Sequence, residues 1–281
     1  MPVRFVCCLV PLALAGTLAA AQPAAADSTA ALPRLTVGLR TATRTTYLMR
    51  APLPADDQGL LGPALSYQAP SGFLAAGYLN HSYNSETLRE PYFNYGELTA
   101  GWQATGDADT YWTVQYTRLL SVGDSHLVQG ALRNNFSANV TQFSDYLTAG
   151  LSADAFFGGT SDLVLTLDVR HAFDLPVPGE RTTLTLEPTV AFAAGSQRFY
   201  AASLGRTQVV KKRRATTTVF REPSTPGFSA LGYLFAAPLS LQAGRLGVLA
   251  TPSYLLPLNL PTDGLSGGFF FLTLEVSRTF W

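Results

Sequence analysis

Apolar and polar residues alternate with a period of two along much of the chain, which is typical of β-strands whose two faces meet different surroundings. The clearest run covers 162–173, where leucine and valine on one face oppose mainly polar residues on the other. The runs at 182–192 and 270–277 repeat the pattern. A helix would mix the two faces. The sequence therefore predicts an all-β protein.

The alternating runs are longer than the five or six residues common in soluble strands, and they reach the roughly 9–11 that a tilted transmembrane strand needs. We predict about twelve strands, or ten if the short ninth run belongs to the loop that follows it. The predicted strands cover 35–44, 59–69, 72–84, 92–104, 110–121, 145–157, 161–173, 181–193, 197–206, 228–241, 245–257 and 268–281.

Connections of two lengths separate these strands. Short turns are predicted at 69–72, 106–109, 158–161, 194–196 and 242–244, and longer connections at 45–58, 85–91, 122–144, 174–180, 207–227 and 259–267. An even number of strands places both ends of the sheet on one side, together with every short turn, and every long loop opposite. This organisation predicts an antiparallel, up-and-down transmembrane β-barrel in a single domain.

Aromatic residues cluster near the predicted strand ends, where membrane–water interfaces favour them. We expect one group at the rim with the short turns: Trp102, Trp112, Phe156, Phe157, Phe280 and Trp281. We expect a second group near the opposite rim: Tyr83, Tyr92, Phe93 and Phe173.

Composition supports a membrane-embedded chain. The 281 residues are 47% hydrophobic and only 14% charged, with 19 basic and 19 acidic side chains. An ordinary soluble domain carries about a quarter charged residues. The balanced charge argues against a nucleic-acid partner. After the N-terminal segment, the sequence offers no apolar run long enough for a transmembrane helix.

The N-terminus has the pattern of a secretory signal, with Arg4 before the apolar stretch 5–15 and small residues at 19–21. We predict a signal peptide over 1–21, cleaved after Ala21 or Ala26, a short periplasmic segment over 22–34, and the barrel over 35–281. Both cysteines, Cys7 and Cys8, lie in the signal. The exported chain would therefore hold neither disulfides nor thiolate metal sites, and nothing in the sequence indicates a cofactor.

Several charged residues fall on the polar faces of the predicted strands. A charge at the lipid-facing midplane costs about 2–4 kcal/mol for a base, so we expect these residues to line the lumen: Arg40, Glu97, Asp168, Arg170, Glu187 and Glu275, with Asp154 nearer the turn side and Arg44 nearer the loop side. Because the first and last strands must meet, Arg40 and Glu275 are predicted to approach each other. The inward charges could line a narrow pore or pair off as a plug. Barrels of about eight strands are filled by their side chains and barrels of about sixteen leave a channel, so a twelve-stranded barrel lies between the two.

The sequence contains no residue pattern that indicates an enzyme. None of the three histidines has a serine two positions away on the same strand face, as a His–Ser hydrolase pair would need. The prediction is therefore that the protein is not an enzyme and has no metal site. A basic run, Lys211, Lys212, Arg213 and Arg214, lies in a predicted outer loop, where it could contact lipopolysaccharide phosphates or form a solvated loop tip.

The last fifteen residues, GGFFFLTLEVSRTFW, resemble the C-terminal strand of bacterial outer-membrane β-barrel proteins. The residues that match are Phe270, Leu272, Leu274, Val276 and the terminal aromatic Phe280. The resemblance implies an outer-membrane location and recognition by the barrel-assembly machinery. Arg278 stands where an apolar residue is usual, and Trp281 adds one residue beyond Phe280.

These patterns together lead to an expected function. We expect a narrow passive, porin-like channel for small solutes, in contact with outer-membrane lipid and lipopolysaccharide. The alternative is a closed structural or surface-binding barrel without transport activity.

Overall fold

The computed structural model describes residues 7–8, 20–21, 32–44, 59–83, 93, 95–106, 109–121, 132–158, 161–179, 181–196, 198, 227–258 and 267–280. Within these residues, long antiparallel strands form one continuous sheet that closes on itself. Cys7–Cys8 and Ala20–Ala21 form a separate two-residue pairing. No helix in the described part of the chain is long and apolar enough to cross a membrane.

The described residues contribute twelve strands to the barrel. Their bounds are β1 Arg34–Ala42, β2 Gly59–Gln68, β3 Phe73–Tyr83, β4 Tyr95–Thr105, β5 Thr110–Ser121, β6 Leu132–Phe143, β7 Thr148–Gly158, β8 Ser161–Arg170 with Phe173–Leu175, β9 Thr182–Leu186 with Thr189–Gly195, β10 Ser229–Ala236 with Leu239–Ala243, β11 Leu246–Pro257 and β12 Phe269–Thr279. Each strand pairs with its neighbour in sequence, and β12 returns to pair with β1.

The predicted alternation of faces is confirmed along the wall. On β8, Leu167 is 53% exposed whereas the adjacent Thr166 is 1% exposed. The same contrast separates the apolar outward positions of β12 from Thr273 between them. Since apolar side chains on a barrel's outer surface are stable only in an apolar solvent, the outer face is a lipid-facing surface.

One predicted loop is in fact a strand. The segment 122–144 was expected to be a long connection, but Leu132–Phe143 forms β6 between β5 and β7. The ninth predicted strand, 197–206, lies outside the described residues except for Arg198. β9 and β10, which flank it in sequence, pair directly with each other. Twelve strands is therefore the correct number, and β6, which the sequence pattern did not predict, is one of them.

The extra strand β6 changes which connections share a rim. At one end, called here the turn end, the chain passes from β2 to β3, β4 to β5, β6 to β7, β8 to β9 and β10 to β11. At the other, called the loop end, it passes from β1 to β2, β3 to β4, β5 to β6, β7 to β8, β9 to β10 and β11 to β12. The short turn at 158–161 is thus at the loop end, and the connection predicted at 174–180 is at the turn end. The prediction that every short turn shares one side was wrong, and 194–196 opens the longest connection rather than forming a turn.

Some aromatic residues change rims for the same reason. Trp102 and Trp112 face outward near the turn end, as predicted. Phe157 instead lies at the loop end, and Phe156 points inward, 4% exposed. Phe173 lies at the turn end rather than the loop end. Trp281 and Tyr92 lie outside the described residues, as does the side chain of Tyr83.

Three strands are interrupted along one line across the wall. The backbone N–H of His171 in β8 donates to Pro188 O at 3.3 Å, and Glu187 N–H in β9 donates to Pro238 O at 2.9 Å. Ala237 N–H in β10 continues the line to Pro252 O of β11 at 3.0 Å. Proline has no N–H for a ladder bond, so Pro188 and Pro238 interrupt their strands while neighbouring carbonyls keep the sheet joined.

Candidate functional site: the barrel lumen

The inner face has two zones. At the loop end, β7 to β12 contribute a cluster of apolar side chains that are all 4% exposed or less: Phe156, Val164, Ala191, Ala193, Leu231, Leu234, Leu255 and Phe271. A smaller group, Tyr95, Leu119 and Leu60, lies at the same end on the other half of the wall. Away from this end the inward positions are mainly Thr, Ser, Asn, Glu, Asp and Arg. The lumen therefore passes from a tightly packed apolar loop end to a polar middle.

A charged triad lies on β8 and β9. Arg170 Nη1 is 3.5 Å from Asp168 Oδ2, and Arg170 Nε is 3.3 Å from Glu187 Oε1. Alternation points all three side chains inward, and each is nearly fully buried. Glu187 occupies the proline interruption of β9, next to Pro188. One guanidinium group therefore serves two carboxylates.

A glycine makes space for the triad. Asp168 pairs with Gly150 on β7, and its carboxylate lies over that glycine. A Cβ at position 150 would clash with Asp168 Oδ1, so any larger residue would displace the carboxylate. Gly150 thus lets Asp168 lie along the wall beside Arg170.

A second charged cluster lies around the closing strands. Arg40 of β1 is the direct backbone partner of Glu275 on β12, so their predicted approach across the closure is confirmed. The Arg40 guanidinium carbon lies 5.6 Å from the centre of the Tyr78 ring on β3. It reaches across β2, where its backbone partner Gly62 presents no side chain. This cation–π contact holds the charge against the wall.

Glu97 extends this cluster to β4. It is the backbone partner of Tyr78, and it accepts a 2.6 Å hydrogen bond from the Tyr95 hydroxyl. The two clusters, one around Arg40 and one around Arg170, lie on opposite walls, because β1 to β4 and β8 to β9 are about half the ring apart.

Two further carboxylates face inward on β7 and β8. Asp154 Oδ1 on β7 accepts a 3.4 Å hydrogen bond from Asn135 Nδ2 on β6. Asp162 Oδ1 near the loop end accepts bonds from Ser196 Oγ at 2.5 Å and from Arg198 N–H at 2.9 Å. Asp154 was predicted nearer the turn side; because β6 reverses the direction of β7, it lies toward the loop end instead.

Several buried polar atoms of the inner wall have no hydrogen-bond partner among the described residues. They include Asn135 Oδ1, Thr166 Oγ1, Ser253 Oγ and Glu187 Oε2. Buried polar groups in proteins are almost always hydrogen-bonded, to protein or to water. These oxygens are themselves shielded from solvent, so they mark positions that only water enclosed in the lumen would satisfy.

All six predicted lumen residues point inward. Arg44 lies at the loop end, its guanidinium carbon 5.4 Å from the Phe269 ring centre. In the predicted assembly segment, Phe270, Leu272, Leu274 and Val276 face outward. Arg278 also faces outward, 5.4 Å from the ring centre of Phe280, at the turn end where an arginine can reach the interface. The basic run 211–214 lies outside the described residues.

The histidines do not form a catalytic group in the described part of the chain. His81 lies near the loop end of β3, whereas His171 follows the first segment of β8 near the turn end. His171 Nδ1 is 2.5 Å from Tyr146 O, in the turn between β6 and β7. His126 lies outside the described residues.

Tyr78, Asn135 and Asp162 were not among the predicted lumen residues. Strand parity could have identified Asp162, which shares the inward face of Asp168 and Thr166. Asn135 lies in β6, where the sequence pattern predicts a connection. The contact of Tyr78 with Arg40 depends on the small inner face of β2, which no single-strand pattern reveals.

A closed antiparallel barrel of long strands, apolar outside and polar inside, has the architecture of transmembrane β-barrel proteins. No family model matches the sequence, and no curated protein matches it. Solved structures similar to this chain include the KdgM porin, with 10% identity, a TM-score of 0.48, and coverage of 88% of this chain and 99% of that one.

Two other similar structures are LpxR from Salmonella typhimurium and an outer membrane channel from Pseudomonas putida F1. LpxR shares 8% identity at a TM-score of 0.47, covering 86% of this chain and 99% of that one. The Pseudomonas channel shares 11% identity at a TM-score of 0.46, and the match covers 91% of this chain and 99% of that one. Likenesses with TM-scores below 0.5 carry no argument about this chain, so its function has to be inferred from the wall of this barrel itself.

Proposed function

We propose that the protein is a narrow passive channel for small solutes in a bacterial outer membrane. The observation that carries this proposal is the polar middle of the lumen, where buried acceptor oxygens such as Thr166 Oγ1 and Asn135 Oδ1 have no partner among the described residues. A plug in which protein groups satisfy one another would leave no such atoms. Water and small polar solutes supply the missing partners.

The arrangement of the charges also supports a passage. The contacts of Arg170 run within β8 and to the adjacent β9, and Arg40 faces Glu275 on the adjacent strand. The charged groups therefore associate along the wall. Such pairs join neighbouring strands, whereas a plug needs pairs that join opposite walls.

A closed barrel without transport is the second candidate. The observation that favours it is the apolar cluster at the loop end, whose side chains are 4% exposed or less. Apolar constrictions can stop conduction by excluding water. In this case the loops would carry the function, and the basic run 211–214 would be the first place to look for lipopolysaccharide binding.

Export and assembly belong to the same proposal. The segment 1–21 would direct secretion, and the outward apolar residues of β12 ending at Phe280 would be read by the barrel-assembly machinery. Outer-membrane lipid would surround the apolar wall. No catalytic step is part of the proposed activity.

Cysteine accessibility tests whether the lumen contains water. Beyond residue 21 the sequence has no cysteine, so single substitutions report cleanly. Gln115 on β5 points inward and is half-buried, whereas the adjacent Val114 faces lipid, 43% exposed. In liposomes, a water-soluble charged thiol reagent should modify Gln115→Cys and lower solute flux through it. Val114→Cys is the matched control: the reagent should not modify it, and solute flux through this variant should not change.

Two results would contradict the proposal. The first is Gln115→Cys that stays inert to the reagent in a barrel that is folded, as shown by heat-modifiable gel mobility. The second is equal reaction of Val114→Cys, since the two faces of β5 would then meet the same solvent.

A further inference from the structure

Carboxylates outnumber guanidinium groups on the inner wall. Between the two mouths, the described strands point five acids inward against two arginines: Glu97, Asp154, Asp168, Glu187 and Glu275 against Arg40 and Arg170. Arg34, Arg44, Arg133, Asp162 and Asp174 lie at the rims. Between the rims, acidic side chains therefore outnumber basic ones by three.

Each arginine faces two carboxylates among the described residues. Arg170 is shared between Asp168 and Glu187, at 3.5 and 3.3 Å. Arg40 faces Glu275 and lies over Tyr78, whose backbone partner is Glu97. Each cluster thus has two carboxylates for one guanidinium among the described residues, and Asp154 accepts its hydrogen bond from the neutral amide of Asn135.

The buried oxygens that lack a hydrogen-bond partner are a second observation, separate from the number of acidic and basic side chains. Glu187 Oε2 and Asn135 Oδ1 can only accept, and they belong to side chains that are 2% and 1% exposed. Thr166 Oγ1, two positions from Asp168 on β8, is also unpartnered within the described part of the wall. Oxygen acceptors beside carboxylates in excess are the surroundings that hard monovalent cations and ammonium groups favour.

We infer that the lumen selects small cations over anions, and that the carboxylates of Asp168 and Glu187 set this preference. The inference rests on the proposed channel function. A lumen with low-dielectric walls concentrates ions of the opposite sign, and rings of Asp and Glu select cations in other pores. Glu187 is the residue with the largest expected effect, because Arg170 engages only one of its two oxygens.

The test is the reversal potential of the full-length exported protein in planar bilayers under a KCl gradient. The wild type should pass K⁺ about tenfold more readily than Cl⁻. Glu187→Gln should lower that ratio several-fold, and Arg170→Gln should raise it. Asp145→Asn removes an exposed carboxylate in the turn between β6 and β7, outside the lumen, and should leave the ratio unchanged.

The possible failures can be distinguished. A folded barrel that passes no current contradicts the channel function itself. A barrel that conducts but prefers Cl⁻, or whose K⁺ preference survives Glu187→Gln, overturns the cation inference and leaves the channel standing. If Glu187→Gln does not fold, Asp168→Asn supplies the same comparison.

Discussion

Arg170 shows how single residues determine the interior of this barrel. Its guanidinium group lies within 3.5 Å of two buried carboxylates, so three charges share a site that solvent hardly reaches. Replacing one member of a buried ionic group by a neutral residue lowers stability more than replacing every member does. The charge that remains is still buried and no longer has its partner. Arg170 is therefore a structural requirement for Asp168 and Glu187 to coexist.

We expect Arg170→Gln to lower the free energy of unfolding by about 3 kcal/mol. Asp168 and Glu187 would then repel each other without a counter-charge. Urea titration of the barrel refolded in lipid vesicles measures the change. The triple variant Asp168→Asn, Arg170→Gln, Glu187→Gln is the control and should recover most of the loss. An unchanged midpoint for Arg170→Gln alone would show that the triad is not coupled.

The inward direction of the charged residues could be predicted from the sequence, since each alternates with lipid-facing apolar neighbours. Their grouping could not be predicted. Asp168 and Arg170 share a strand, but Glu187 joins them only through strand pairing and the interruption at Pro188. The approach of Arg40 to Glu275 was predictable because a closed barrel must bring β1 and β12 together.

At the level of elements, β6 decides the orientation of half the barrel. Its lipid face has only Phe136, Ala138 and Val140 as apolar residues, between the polar Asn134 and Gln142. This short apolar stretch explains why the sequence pattern suggested a loop. With β6 in the wall, β7 runs opposite to the predicted direction, and the turn after Gly158 moves to the loop end.

Cysteine labelling in intact cells tests this orientation. Outer-membrane barrels place short turns in the periplasm and longer loops outside. A membrane-impermeant maleimide should therefore label Gly158→Cys in intact cells, and label Asp145→Cys only after the outer membrane is permeabilised. Both residues lie in exposed positions near short turns, so they differ mainly in the end they occupy. Labelling of Asp145→Cys alone in intact cells would contradict the position of β6.

At the scale of the whole molecule, the outer and inner faces have different roles. The outer face is an apolar band with Trp102 and Trp112 near the turn end, which suits a membrane. The inner face combines an apolar loop end with a polar, acid-rich middle. Eleven of the twelve strands and the outer face could be predicted from alternation, whereas β6 could not. The two zones of the lumen arise from side chains of many strands meeting in space, so they required the structure.

The apolar loop end and the polar middle have opposite effects on transport. Buried acceptor oxygens in the middle favour water and cations, whereas the cluster around Leu231, Leu255 and Phe271 narrows the loop end. The proposed channel requires a passage that stays open past this cluster but is narrow. Small conductance steps, rather than the large ones of wide porins, are what such a lumen should produce.

Single-channel recording of the wild-type protein in planar bilayers tests the open lumen most directly. A narrow channel predicts discrete current steps of small, uniform size that appear only with folded, heat-modifiable protein. A bilayer that stays silent after insertion of demonstrably folded barrel would contradict it, and the closed barrel with functional loops would then be the correct description.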